Sequence, residues 1–153
     1  KSAQVYYSLD GYIHVNIQQR EPVLRVLTGE GYYVDRDGRV MPLSSKFTSR
    51  VVVATGDINK KFACEKLGPF AMKLKNEPFW DAYIEQLVVR SNEDVVMIPK
   101  VGDFRIVLGK VDDCDARLEK LILFLKDGIT KKGWNRYKEI NLKFDNQVVC
   151  VRK

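Results

Sequence analysis

Trp134-Asn-Arg-Tyr-Lys-Glu-Ile-Asn-Leu-Lys-Phe-Asp-Asn-Gln-Val-Val-Cys-Val-Arg-Lys153 is the stretch on which the fold turns. Within it Tyr137, Glu139, Asn141 and Lys143 alternate with Lys138, Ile140, Leu142 and Phe144. One face therefore carries Ile140, Leu142 and Phe144 and the other is mostly polar, the two-residue period of a half-buried strand. Asp145-Asn146 signals a turn, and Gln147 to Val151 is a second, β-branched run. The reading is two antiparallel strands that include a sheet edge, where backbone N–H and C=O groups need a partner, and the residues do not say which of the two is that edge. By themselves the residues describe an α+β domain with an edge competent to pair with another chain.

Working outward, 153 residues suit one domain, or one domain and a fragment. The hydrophobic share of 45% and charged share of 30% are those of an ordinary globular protein. No apolar run approaches the roughly 18 residues of a membrane span. There is no initiator Met and no charged-then-apolar leader, so any signal or anchor is expected to lie outside these residues. The first residues already read as strand, as in a fragment that begins inside something larger. The formal charge is +6, and from Lys131 onward seven Lys/Arg stand against Glu139 and Asp145. Such a surplus fits a solvated basic face, or attraction to an acidic protein segment or an anionic membrane surface. Nucleic acid fits less well, because no binding motif or ladder of exposed aromatics accompanies the charge. Cys64, Cys114 and Cys150 are too few and too far apart for a disulfide framework.

Ala3–Leu9 and Tyr12–Gln18 flank Asp10-Gly11, a tight-turn dipeptide, and read as a hairpin that must join a sheet or belong to a truncated domain. Pro22 interrupts the pattern and Val23–Leu27 resumes it. Tyr32–Asp35 and Arg39–Met41 form a hairpin across Arg36-Asp37-Gly38. Asp35-x-Asp37-Gly38 superficially resembles a calcium loop, but the later ligands and the closing Glu are missing. Pro42–Ser49 reads as irregular and Arg50–Ala54 as a short buried strand. Phe62, Leu67, Phe70, Ala71 and Leu74 recur at near-helical spacing over Asn59–Lys75, with Gly68-Pro69 expected to split or kink the helix. A second helical piece enters at Asn76-Glu77-Pro78. Phe79 to Val88 fits either one helix face or a strand; the reading adopted is a helical turn to about Ala82, then strand. Val95–Pro99 and Phe104–Gly109 are clearer strands. Asp112-Asp113 is expected to open the best helix, with Leu118, Leu121, Ile122 and Leu125 as its buried stripe and Gly128 as its stop. Burial of those four side chains contributes about 1.5–3 kcal/mol each before entropy is subtracted. The expected class is α+β, a mostly antiparallel sheet with helices packed on one side, preceded by a β-hairpin.

Catalytic chemistry has few candidates. His14, the single histidine, lies in the alternating N-terminal strand and reads as structural or surface. No Cys/His cluster has zinc spacing, no Gly-rich loop has phosphate-binding context, and the carboxylates are scattered among turns and helix starts. The residues thus argue against an enzyme, a metal centre and a cofactor. Trp134, Tyr137 and Phe144 read either as core or as interface aromatics.

Four stretches in series resemble the extracytoplasmic region of the FtsQ/DivIB family of bacterial cell-division proteins. Gly11-Tyr-Ile-His-Val-Asn-Ile-Gln-Gln-Arg-Glu-Pro-Val-Leu-Arg-Val26 is similar to the family's passage from a strand ending V-x-x-R-x-P into the next domain. Tyr33-Val-Asp-Arg-Asp-Gly-Arg-Val40 resembles its D-x-x-G hairpin, and Ile106-Val-Leu-Gly109 with the helix after it resembles its I-x-L-G unit. Ile140-Asn-Leu-Lys-Phe-Asp145 is similar to its terminal V-D-L-R-Y strand, with Asn141 for the acid, Lys143 for Arg and Phe144 for Tyr. Phe144 lacks the hydroxyl that the family's Tyr carries.

The resemblance implies a non-catalytic divisome scaffold anchored in the inner membrane by one span absent here, with this region in the periplasm. It implies that residues 1–19 are the final hairpin of a truncated POTRA domain and residues 20–153 the family's β domain. It also implies recruitment of FtsB- and FtsL-like division proteins during septum formation, by addition of a strand to the sheet at its last strands. The expected partner-binding residues are Asn141, Leu142, Lys143, Phe144, Asp145, Asn146, Gln147 and Val148. Neither nucleic acid nor a small-molecule substrate is expected. Two other classes remain open from sequence: a POTRA-bearing envelope assembly or secretion protein, and an envelope hydrolase with scattered acidic residues.

Overall fold

A computed structural model describes residues 2–129 and 136–153. Trp134, Lys131 and Lys132, singled out above, lie outside the described residues. The alternating runs become strands β1 (Ser2–Tyr7), β2 (Ile13–Gln18), β3 (Pro22–Val26), β4 (Tyr32–Asp35), β5 (Val40–Met41) and β6 (Val52–Gly56). They continue as β7 (Ile84–Arg90), β8 (Asp94–Pro99), β9 (Arg105–Gly109), β10 (Tyr137–Asn141) and β11 (Val149–Arg152). β1 and β2 pair only with each other, and the rest form one sheet in the order β11-β10-β9-β8-β7-β6-β3-β4-β5. Its pairings are antiparallel except for β3 with β6, β6 with β7, and β9 with β10. The class is α+β with a mostly antiparallel sheet, as expected.

Register explains the single core. Tyr32, Val26, Ala54, Leu87, Met97, Ile106, Ile140 and Cys150 lie in one row across eight strands. All but Cys150 are buried, against Phe62, Leu67, Phe70, Leu74, Leu118, Leu121 and Leu125 of the helical segments. The opposite face carries the row Thr55, Val88, Val96, Val107, Asn141 and Val149, outside that core. Side chains shield it: Gln86 Nε2 donates to Thr55 Oγ1 at 2.8 Å and Arg90 approaches Glu139 at 4.0 Å.

Helix α1 (Lys60–Phe62) is capped by Asn59, whose Oδ1 accepts from Phe62 N at 2.8 Å. It runs through a π-helical turn, Ala63–Leu67, into α2 (Gly68–Asn76). Gly68-Pro69 was expected to split or kink this helix; the chain stays helical through it, and the helix changes from π to α there. The wider turn supplies the reason, because Gly68 N bonds back to Ala63 O and the chain accommodates a Pro69 that has no N–H to give. Gly68 is also a close approach, since a Cβ there would sit 3.1 Å from Val34 Cγ1. α3 (Pro78–Tyr83) starts with Pro in its first turn and hands directly to β7, as the sequence indicates.

Other boundaries shift. The strand expected over Arg50–Ala54 occupies Val52–Gly56. The helix expected to open at Asp112-Asp113 begins at Asp115, as α4 (Asp115–Leu123), because Asp113 takes a left-handed φ of 47° in the preceding turn. Gly128 does not end it; a π-helical turn, Phe124–Ile129, carries the chain through that position. The strand predicted to reach Phe144 ends at Asn141.

Candidate functional site

Among the described residues, β11 has a strand on one side only. Lys153 N donates to Arg136 O at 3.2 Å, so this residue faces β10. By the two-residue alternation of an antiparallel ladder, the backbone groups of Cys150 and Arg152 face outward. Their side chains and those of Val149 and Val151 stand on opposite faces, Cys150 toward the core in register with Ile140, Val149 in register with Asn141 on the open face. Val149 and Val151 are exposed, and Cys150 is half-buried. The other sheet edge, β5, is two residues long and runs into the irregular Pro42–Ser49 loop, whose Ser49 N donates to Tyr33 Oη at 3.2 Å. A short edge of that kind is poorly suited to pairing, whereas β11 has four residues and, among the described residues, no strand on its outer side. Beside its C-terminal end, Ile98, Phe104, Arg105, Lys138 and Lys153 line a shallow depression of about 430 Å³. Lys153 Nζ contacts Asp103 there at 2.8 Å, which holds the Asp103 carboxyl below its usual range.

The eight residues predicted to bind a partner are contiguous with this edge but do not form it. Asn141 ends β10, and its Oδ1 accepts from Lys143 N at 3.0 Å. Leu142 is fully buried and belongs to the core. Lys143 extends to Asp94 of β8 at 3.3 Å. Phe144 leaves the sheet at the start of a turn and keeps 46% of its surface exposed. Asp145 and Asn146 make that turn, Asn146 at φ 58°; Gln147 is exposed, and Val148 packs partly on the core. The β-branched run that contains Val149 to Val151 was visible in the sequence, but not which of the two terminal strands is the edge; the pairing order among the described residues gives it to Val149–Arg152.

A model of the family described as FtsQ/DivIB, C-terminal related, matches residues 21–151. The chain belongs to this family. The FtsQ/DivIB family is one of non-enzymatic, membrane-anchored proteins of bacterial cell division, and membership ties this chain to that process. No curated protein matches the chain. Among the described residues, no helix is long and apolar enough to cross a membrane.

Two of the stretches that resemble the FtsQ/DivIB family prove to be halves of one structure. Arg20, from the R-x-P stretch, places Nε 2.5 Å from Asp35 Oδ2, and its Nη2 donates to Arg39 O and Val40 O at 3.2 Å each. Asp35 Oδ1 accepts from Asp37 N at 3.0 Å and Arg39 N at 2.7 Å, closing the hairpin that Gly38 completes at φ 74°. Gly38 also packs tightly, as a Cβ would meet Cys64 O at 3.1 Å. Burial of Asp35 favours the neutral acid, but the Arg39 N–H, the Arg20 guanidinium and the Asp37 N–H outweigh it and hold the carboxyl below its ordinary value. The carboxylate oxygens thus hold the hairpin and Arg20 together, and no cluster of three or more metal-ligating side chains occurs among the described residues.

The remaining candidates for chemistry are dispersed. His14 is exposed on β2, stacked on its cross-strand neighbour Tyr6 at 4.9 Å. Cys64, Cys114 and Cys150 are free, and burial pushes all three thiols up, away from the reactive thiolate. Burial likewise takes the Tyr83 hydroxyl up to about 12.

Proposed function

We propose that this protein is a divisome scaffold that recruits FtsB- and FtsL-like proteins during septum formation, a strand of the partner adding to its sheet along β11. The observation that carries the reading is the free flank of β11, in a chain whose family works in cell division. An added strand gains main-chain hydrogen bonds at about 1 kcal/mol each and takes its specificity from alternate side chains. Ordering the incoming peptide offsets part of this gain, so an apolar anchor is needed beside the ladder. Phe144 is that anchor, half-exposed where β10 turns toward β11. Asn141, Lys143, Asp145, Asn146, Gln147 and Val148 complete the docking surface, while Leu142 holds it to the core.

In this reading the protein is held in the inner membrane by a single span, with these residues in the periplasm. Residues 1–19 are the end of a POTRA domain and residues 20–153 the β domain. The ribbon of β1 and β2 supports that division. Its register gathers Ala3, Val5, Tyr7, Ile13, Val15 and Ile17 on one side, and Ile17, for example, is 63% exposed. An apolar face of that kind is what the remainder of a small domain covers.

The test is calorimetric titration of the protein with a peptide of the FtsB-like partner's membrane-distal segment. Phe144→Asp is expected to abolish binding at an unchanged melting temperature. Cys150→Pro is expected to do the same, since proline is tolerated where the lost N–H faces solvent, with Arg152→Pro as a second edge variant. Wild-type affinity in all three variants overturns the reading.

A further inference from the structure

We infer that Lys120 of α4 is a positioning residue for the docking turn, holding the backbone that swings Phe144 out of the sheet; the inference rests on the docking reading above. The ladder of β10 ends at Asn141, and only Leu142 N continues it, donating to Val107 O at 2.9 Å. From there, among the described residues, no strand donates to the carbonyls of Leu142 and Phe144. Lys120 Nζ donates to both, at 3.3 Å and 2.6 Å. One ammonium thus gathers two carbonyls two residues apart, and charge-assisted bonds of this kind are shorter and stronger than neutral ones.

The anchor point is rigid. Lys120 lies next to Leu121, which is fully buried, and two residues beyond the buried Leu118, so the core fixes the helix from which the ammonium reaches out. On the other side Lys143 is drawn to Asp94 and its N–H to Asn141 Oδ1. Residues 141–144 are therefore held by the helix on one side and by β8 on the other. The bend between these restraints is what leaves Phe144 46% exposed instead of continuing the apolar face of Ile140 and Leu142. A lysine in the last turn of a helix also complements the helix's own carbonyl end, which is the purely structural role available to Lys120.

A thermodynamic cycle separates the two roles. Lys120→Met, which keeps the aliphatic stem, is titrated with the same partner peptide alone and combined with Phe144→Ala, beside Lys120→Arg. If Lys120 acts by presenting Phe144, Lys120→Met weakens binding about tenfold, Lys120→Arg recovers most of it, and in the Phe144→Ala background the effect falls below about twofold. Equal weakening in both backgrounds, or wild-type affinity for Lys120→Met while Cys150→Pro abolishes binding, overturns the inference and leaves the docking edge standing. Wild-type affinity for Lys120→Met, Phe144→Asp and Cys150→Pro alike overturns the docking reading and this inference with it.

Discussion

Asp35 is the buried charged residue among the described residues, and its surroundings show how one side chain can define a turn. Its two oxygens accept from two backbone N–H groups and a guanidinium, so the carboxylate is favoured although 97% of the residue's surface is withdrawn from water, 3% remaining. Because the folded carboxyl lies below the ordinary 3.8, its contribution to stability is complete above that value and is lost as pH falls through the lower, folded one. Asp35→Asn is expected to cost about 1.5–3 kcal/mol at neutral pH, the range for hydrogen bonds to a charged group. Denaturant midpoints measured from pH 7 downward should show that difference shrinking in acid; a gap that persists unchanged well below the ordinary carboxyl value would contradict this account. The sequence showed Arg20 and Asp35 as parts of two separate stretches. Their ion pair could not be read there, because it depends on β4 folding back beside β3.

At the scale of elements, the β7–β8 hairpin turns through Asn92 and Glu93, with φ of 61° and 60°. Two left-handed residues suit the tight turn that twists with its strands, but Glu pays for a conformation that glycine adopts freely. Lys66 reaches Glu93 at 3.2 Å and Asp112 at 2.9 Å, tying this turn and the β9–α4 connection to the π-helical turn of Ala63–Leu67. Glu93→Gly is expected to raise stability by about 1 kcal/mol through relief of the left-handed strain, since Lys66 keeps Asp112. A fall in the thermal midpoint would mean that the turn is held by Glu93 itself. Such elements were partly legible. Helix α3, the strand after it and both inner hairpins follow from period and turn residues. The continuous helix across Gly68-Pro69 was not, because a single π-turn leaves the apolar spacing almost unchanged while removing the demand for the missing N–H.

For the whole molecule, the described core lies between Val23 and Leu142 and includes nothing from β1 or β2. Removing residues 1–18 is therefore expected to leave the unfolding free energy within about 0.5 kcal/mol of the full chain's, with Arg20 retained to bond Asp35. A large loss of stability would show that the ribbon belongs to the same cooperative unit. The nine-stranded sheet packs its helices against one row of side chains, and its other face carries the Gln86–Thr55 hydrogen bond and the Arg90–Glu139 pair. β11 stands at the far end of that sheet from the ribbon's junction with β3, which separates the proposed docking edge from the N-terminal unit.

What the sequence determined by itself was local: the alternation of Ile140 with Asn141, the stripe of α4, the turns at Gly11, Gly38 and Asn146, and a series of motifs specific enough to point to a family. Covalent geometry dictates these, because side chains alternate along any strand and recur every three to four residues along any helix. Only the tertiary structure decided that β10 lies parallel to β9, that β11 is left with one neighbour, and that Phe144 turns outward while Leu142 turns in. Those outcomes depend on which strands meet and on a lysine two dozen residues away in the chain, contacts that no local period encodes.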